Sequence, residues 1–284
     1  MSDPVLVGVD GSEASLAAVD VAVREARLRG CGLRIVHAFI WPLMHVSLGP
    51  AQGGPAEGGL RHQAENLLED ARARARALDP RLEIGTELVT GEPLTVLARR
   101  SRDACLVVVG SRGLGRFGAL LIGSVAVHLA AHAACPVLIV RGRPEPDGPV
   151  LVAVDGSETD TEALGFAFAE ASARRAPLTA LHVAHPGASR PDHEERALAE
   201  APAVRRDEYP DVELRTELIE AHARPALIDA SRAAQLLVVG ARGRGGFAGM
   251  LLGSTSQAVI QHAHCPVVVV RHEEQPAQAP APTG

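Results

Sequence analysis

The chain repeats itself, and the repeat governs what it can fold into. Val5-Leu-Val-Gly-Val-Asp10-Gly-Ser-Glu13 returns as Val150-Leu-Val-Ala-Val-Asp155-Gly-Ser-Glu158, offset by 145 positions. Two later stretches return at an offset of 130: Gly110 to Phe117 as Gly240 to Phe247, and His132-Ala-Ala-Cys-Pro-Val137 as His262-Ala-His-Cys-Pro-Val267. Self-similarity on this scale means two units of one plan, and 284 residues suit two domains with a core each. The first unit is longer by 15 residues. The surplus falls between His37, matched by His182, and Thr86, matched by Thr216. The Gly- and Pro-rich stretch from Trp41 to Gly59 is the natural place for an inserted loop.

Within each unit, short apolar runs alternate with helical periodicity. Strands are expected at 4–9, 32–38, 82–89, 105–109 and 136–140, as near-continuous runs that suit a parallel sheet covered on both faces. Ser12 is a good N-cap for the first helix and Gly30 a good terminator, with Leu16, Val19, Val23 and Ala26 on one face. Its counterpart is expected to start at Ser157, with Asp160 closing a capping box and Leu164, Phe168 and Ala171 inward. Alternating βα units with right-handed crossovers give a doubly wound α/β sheet per half. The expected organisation is domain 1 over 1–142, a Pro/Gly-rich linker over 143–149, domain 2 over 150–272 and a disordered Pro/Ala/Gln tail over 273–284.

Composition removes several classes of function. All 28 basic residues are Arg, so Schiff-base chemistry, cofactor anchoring by an ammonium group and a P-loop lysine are excluded. A net charge of −6 with 2% aromatic residues argues against a nucleic-acid partner. Cys31, Cys105, Cys135 and Cys265 lie apart in apolar stretches without CxxC spacing, which suits reduced thiols in a cytoplasmic protein. The uncharged run from Phe117 to Val140 is long enough to cross a bilayer. Pro136, Gly118, Gly123, His128 and His132 break it into a loop, a helix and a strand, so no membrane partner is expected.

Two loops fall at the carboxyl ends of strands, where open α/β sheets hold ligands. One is Asp10-Gly11-Ser12. The other runs from Gly110 to Ser124, with glycines at 113, 115, 118 and 123. Successive amides in such a turn, and a helix opening at Gly123-Ser124, make a cradle for phosphate to which Arg112 and Arg116 add charge. The same glycines would also serve close helix–strand packing alone, and Asp10 would cap the following helix whether or not it meets a ligand. Gly113-x-Gly115-x-x-Gly118 follows the fourth strand rather than the first, with apolar Leu138 twenty positions on, so a dinucleotide fingerprint is rejected. His128 and His132 lack the glutamate and third ligand of a zinc site.

Gly110-x-x-Gly113, nine residues and Gly123-Ser124 resemble the ATP-binding signature of the universal stress proteins. It returns as Gly240-x-x-Gly243, nine residues and Gly253-Ser254. The strand ending in Asp10 or Asp155 and the closing His-x-x-Cys-Pro-Val are similar to the same family, so the likeness covers nearly the whole chain as a tandem member. The resemblance implies a Rossmann-like, mostly parallel five-stranded sheet in each half, of order 3-2-1-4-5, and dimer-like pairing through the last strands. It also implies ATP and Mg2+ as ligands. Gly8 and Ala153 would give close backbone approach, and Asp10 and Asp155 would sit near the ribose or a phosphate-bound magnesium ion. Ala38, Val89, Val183 and Ile219 would flank adenine. Phosphates would be wrapped by Gly110, Ser111, Arg112, Gly113, Leu114, Gly115 and Arg116, and by Gly240, Ala241, Arg242, Gly243, Arg244, Gly245 and Gly246. Ser124 and Ser254 would add hydroxyls, with Gly123, Val125, Gly253 and Thr255 beside them. Ala153 in place of Gly8 adds a methyl to the second site.

A nucleotide-dependent regulator in stress or growth arrest, pairing its halves internally and forming a homodimer, is the expected function. A weak ATPase or phosphoryl- or nucleotidyl-transfer enzyme, and a stress scaffold that binds no nucleotide, are the alternatives. No water-positioning Gln or Glu accompanies the cradle in sequence, so no catalytic residue is assigned.

Overall fold

A computed structural model describes residues 2–39, 56–113, 123–157, 160–187, 205–243 and 251–271. The first half runs β1 (Val5–Gly8), α1 (Glu13–Arg29), β2 (Leu33–Phe39), α2 (Ala56–Leu78), β3 (Ile84–Thr90), α3 (Pro93–Arg100), β4 (Leu106–Gly110), α4 (Ser124–His132) and β5 (Val137–Val140). The second runs β6 (Val150–Val154), α5 (Asp160–Arg174), β7 (Leu178–Ala184), β8 (Leu214–Glu220), α6 (Ala223–Ala230), β9 (Leu236–Gly240), α7 (Ser254–His262) and β10 (Val267–Val270). The five strands expected in the first half are present within two residues of their expected limits. The insertion differs: α2 already starts at Ala56, so its last residues open a helix, while 40–55 lie outside the described residues. The tail expected at 273–284 also lies outside them.

The α1 boundaries follow from local chemistry. Ser12 Oγ accepts the Ser15 amide at 3.2 Å, and Gly30 closes the helix at φ 61°, φ/ψ space that an L side chain enters only at a cost. The inward face carries Ser15, Ala18, Val19, Ala22, Val23 and Ala26, whereas Leu16 is only half-buried. The expected capping box at Ser157 is not what forms. The Asp160 carboxylate passes over Ser157 and accepts the amides of Asp155 (3.0 Å) and Gly156 (2.6 Å), while the Ser157 amide goes to Asp155 Oδ1 at 3.0 Å.

All ten strands form one sheet, in the order β3-β2-β1-β4-β5-β10-β9-β6-β7-β8. Each half keeps the order 3-2-1-4-5 with parallel pairing, and the halves meet where β5 pairs antiparallel with β10, Val137 opposite Val269 and Ile139 opposite Val267. Both cores therefore run through both halves. One lies under α1, α2 and α5 around Val7, Val19, Leu106, Val152 and Phe168. The other lies under α3, α4, α6 and α7 around Leu6, Val107, Leu129, Leu237 and Ile260.

Polar ties cross the same seam. Arg141 donates to the carbonyls of Val259 (3.3 Å) and Ile260 near the end of α7, and Arg271 donates to Ala133 O (3.2 Å) at the end of α4. Between α1 and α5, Glu25 and Arg29 join Glu170 and Arg174 in a closed ring of alternating charge, Arg174 Nε lying 2.8 Å from Glu170 Oε2. Both carboxylates are almost fully buried, and a buried carboxylate persists only with such partners. The stretch expected as a linker is bonded to the second half through Arg143 N to His264 O (2.8 Å) and Glu145 N to Ala234 O (3.1 Å).

Candidate functional site

Parallel strands of one half all end on the same edge, and the sequence-singled residues gather there. The turn after β1 needs a left-handed residue, supplied by Gly11 (φ 87°) and Gly156 (φ 77°). That turn points Asp10 inward: its Oδ1 accepts the Ser12 amide at 3.0 Å and the Ser12 hydroxyl at 2.6 Å. Ser12 is the cap of α1, and Asp10 steadies it rather than capping the helix itself. Gly113 and Gly243 lie so close to Asp10 Oδ2 and Asp155 Oδ2 that a Cβ on either glycine would collide with the carboxylate.

The remaining glycines divide by role. Gly110 ends β4 against α1, where a Cβ would come within 2.7 Å of the Ala14 carbonyl, so packing alone requires it. At Gly8 a Cβ would meet Leu97 Cδ1 at 2.8 Å, and the second half carries that methyl as Ala153. Gly123 and Gly253 have room for a Cβ; their amides close the loop by donating to Ser111 O (2.8 Å) and Ala241 O (2.7 Å). The amides of Ser111 and Ala241 are engaged too, by Val140 O (3.0 Å) and Val270 O (2.7 Å). These four main-chain groups build the frame rather than offer donors to a ligand.

Donors come instead from the helices that follow. Gly123 and Gly253 are the N-caps of α4 and α7, and neither helix start has a side-chain cap. The first turns, beginning with Ser124-Val125 and Ser254-Thr255, carry the positive end of the helix dipole, and Ser254 and Thr255 line the second-half cavity. Arg112 and Arg242 stand exposed beside the cradle. Leu114, Gly115, Arg116, Arg244, Gly245 and Gly246 lie outside the described residues.

In the second half these groups enclose a cavity of about 400 Å³. Ala153, Asp155, Val183, Gly240, Arg242, Gly243, Gly253, Ser254 and Thr255 line it, whereas Ala241 is turned into the core. Ile219 pairs with Val183 in register, as Val89 pairs with Ala38 in the first half, so these four mark the ends of the second and third strands. Leu181, Val183, Leu227 and Val239 make up its apolar lining. Asp160, Arg224 and Ser256 join the polar lining. The sequence reading had Asp160 only as a helix cap and missed Arg224 and Ser256, although the repeat offsets set Asp160 and Arg224 apart from their first-half counterparts. Asp160 and Arg224 stand where the first half has Ser15 and Leu94, so the two sites differ in charge.

Among the described residues no group of three or more His, Cys, Asp or Glu side chains gathers as a metal cage. One carboxylate against a glycine suits a magnesium ion whose other ligands are phosphate oxygens and water. Such an ion would supply charge neutralisation there, held by Asp10 or Asp155. No described helix is long and apolar enough to cross a membrane.

A model described as the universal stress protein family matches residues 1–141 and again 148–271. A universal stress protein of Mycobacterium tuberculosis (strain ATCC 25618 / H37Rv) is 38% identical over 293 residues, covering 94% of this chain and 96% of its own. The crystal structure of a universal stress protein from Archaeoglobus fulgidus has a TM-score of 0.73 at 22% identity, covering 95% of this chain and 96% of that one. A solved universal stress protein in complex with cAMP is 29% identical, with a TM-score of 0.38, and covers 49% of this chain and 97% of its own. With its family unit present twice in tandem, the chain belongs to the universal stress proteins.

Proposed function

We propose that the chain binds ATP with Mg2+, one nucleotide in each of the units 1–142 and 150–272, and acts as a nucleotide-dependent regulator in stress or growth arrest. The observation that carries this reading is the lining of the second-half cavity. Its apolar lining of Leu181, Val183, Leu227 and Val239 suits an adenine ring, and Gly243, Arg242 and the first turn of α7 in the same lining suit phosphates. Asp155 between them suits the ribose or a phosphate-bound magnesium ion, and Asp10 does so in the first half. Without lysine, the triphosphate is met by amide dipoles, guanidinium groups and the metal. In this reading the cytoplasm, which suits four free thiols, is its compartment, and assembly beyond the internal pairing is a homodimer.

Calorimetric titration with ATP and Mg2+ tests the reading. Two nucleotides should bind per chain, and Gly113→Glu should weaken the first-half site at least tenfold, because its Cβ displaces Asp10 and its carboxylate repels phosphate. Absence of heat and of a thermal shift at millimolar ATP would leave the scaffold reading standing. Single-turnover phosphate release well above background would favour the enzyme instead.

A further inference from the structure

A second hollow, of about 1040 Å³, lies between α3 and α4 of the first half and α5 of the second, reaching the end of β10. Its charge is lopsided. Among the described residues that line it, Arg99, Arg102, Arg205 and Arg271 stand with His128 and His132 against a single carboxylate, Glu162. In a chain of net charge −6, these described lining side chains carry three more positive charges than negative before either imidazole is protonated, with Glu208 as a further acid behind Arg205.

Two of these cations are held in place by the protein. Arg271 donates to Ala133 O at 3.2 Å. The Arg205 guanidinium lies over Gly165, where a Cβ would stand 3.1 Å from its Cζ, and Glu208 holds its far side at 3.1 Å. The repeat shows what has changed there. Gly165 corresponds to Asp20, which in the first half takes Arg74 in a two-point ion pair of 2.6 and 2.7 Å. In the second half that acid is gone and the guanidinium borders the hollow. Arg99 and Arg102 form no ion pair among the described residues. The His128 and His132 rings stack at 4.1 Å, and the His132 Nδ1–H donates to His128 O at 2.9 Å, so its Nε2 becomes a donor to an anion only when the ring is protonated.

We propose that this hollow is a further binding site, for a compact anion carrying two or more phosphoryl groups. Guanidinium forks suit phosphate oxygens, and held guanidinium groups lose less freedom on binding. The volume is that of a small-molecule site. The net negative charge of the chain opposes a long polyanion, and among the described residues Phe166 is the one Phe, Tyr or Trp lining the hollow, which gives nucleic acid little stacking platform. Because both halves contribute walls, the site exists only in the assembled chain.

The test is calorimetric titration of the full chain with inorganic tripolyphosphate in metal-free, low-salt buffer. Three proteins are compared: the natural sequence, the strand-end variant Gly113→Glu/Gly243→Glu and the groove variant Arg99→Glu/Arg205→Ala. One binding event should survive in the strand-end variant and weaken at least tenfold in the groove variant, whose strand-end binding of ATP with Mg2+ stays as in the natural sequence. The exposed pair Arg102→Ala/His132→Ala, which leaves the buried core untouched, should weaken the same event. Groove variants that bind tripolyphosphate unchanged, or loss of all binding in a folded strand-end variant, would overturn the proposal. Tighter binding of a short single-stranded oligonucleotide than of tripolyphosphate would overturn the choice of ligand. Failure of the ATP reading would show separately, as absent ATP heat with the groove event intact.

Discussion

The two cradles share a backbone but differ in one acid, and that difference has a direct consequence. At Ser15 the hydroxyl accepts the Asp10 amide at 3.4 Å. At the equivalent Asp160, a buried carboxylate takes both the Asp155 and Gly156 amides and lines the cavity proposed for nucleotide. An internal anion already occupies that amide pair, and it repels an incoming phosphate. Asp160→Ser should therefore tighten metal-free ATP binding in the second half about tenfold, roughly 1.4 kcal/mol, while costing roughly 1–2 kcal/mol of stability from lost charge-assisted bonds at the start of α5. Ser15→Asp should do the reverse in the first half. Calorimetry on backgrounds with the other site blocked separates the halves, and equal affinities in the swapped pair would refute the charge argument. Sequence identified the acid but misjudged its partner. A capping box assumes that the side chain returns to the N-cap amide, and here the tight Gly156 turn brings two earlier amides closer.

At the scale of elements, the strands were readable because burial on both faces leaves apolar runs with little to disguise them. The α1 ends were readable because Ser12 and Gly30 are bound to local geometry. The family resemblance implied that the last strands pair the halves, as β5 and β10 do, whereas nothing local in Val137–Val140 or Val267–Val270 names its antiparallel neighbour. Nor did the glycine spacing show that Gly123 and Gly253 close the loop through their amides while Gly113 and Gly243 make room for a carboxylate. The thiols at the strand entrances carry a prediction of their own. Burial pushes Cys135 and Cys265 up to about 12, and burial together with Cys31, whose sulfur is 3.9 Å away, does the same for Cys105. A thiol titrates near ~8.5 when unfolded, so above that pH the unfolded chain loses protons that the folded chain keeps. Stability is then fully present below ~8.5 and falls as pH rises toward 12. Urea midpoints should drop between about pH 8 and 10.5, and Cys135→Ala with Cys265→Ala should flatten the slope; an unchanged slope would show that other groups govern it.

Across the whole molecule, the seam makes the two halves one folding unit. Both cores cross it, the ten strands share one sheet, and the Glu25–Arg29–Glu170–Arg174 ring closes only when α1 meets α5. Desolvation raises the Glu25 carboxyl above its usual range, with Glu170 adding to the rise and the two arginines opposing it. Each half alone would thus leave a buried-type carboxylate beside a single arginine and an unpaired apolar edge at β5 or β10. The halves are related by duplication and their seam is pseudo-symmetric, so a second copy of one half can supply what the other half supplied. An isolated first half, residues 1–142, should therefore self-associate through β5, with Glu25 of each copy meeting Arg29 of the other. Sedimentation should give a dimer, and Ile139→Pro, which puts a ring without an N–H into that edge strand, should give a monomer or an unfolded chain, told apart by circular dichroism. A folded monomer from the unaltered half would mean that the seam is a consequence of tethering rather than of complementarity between the two surfaces.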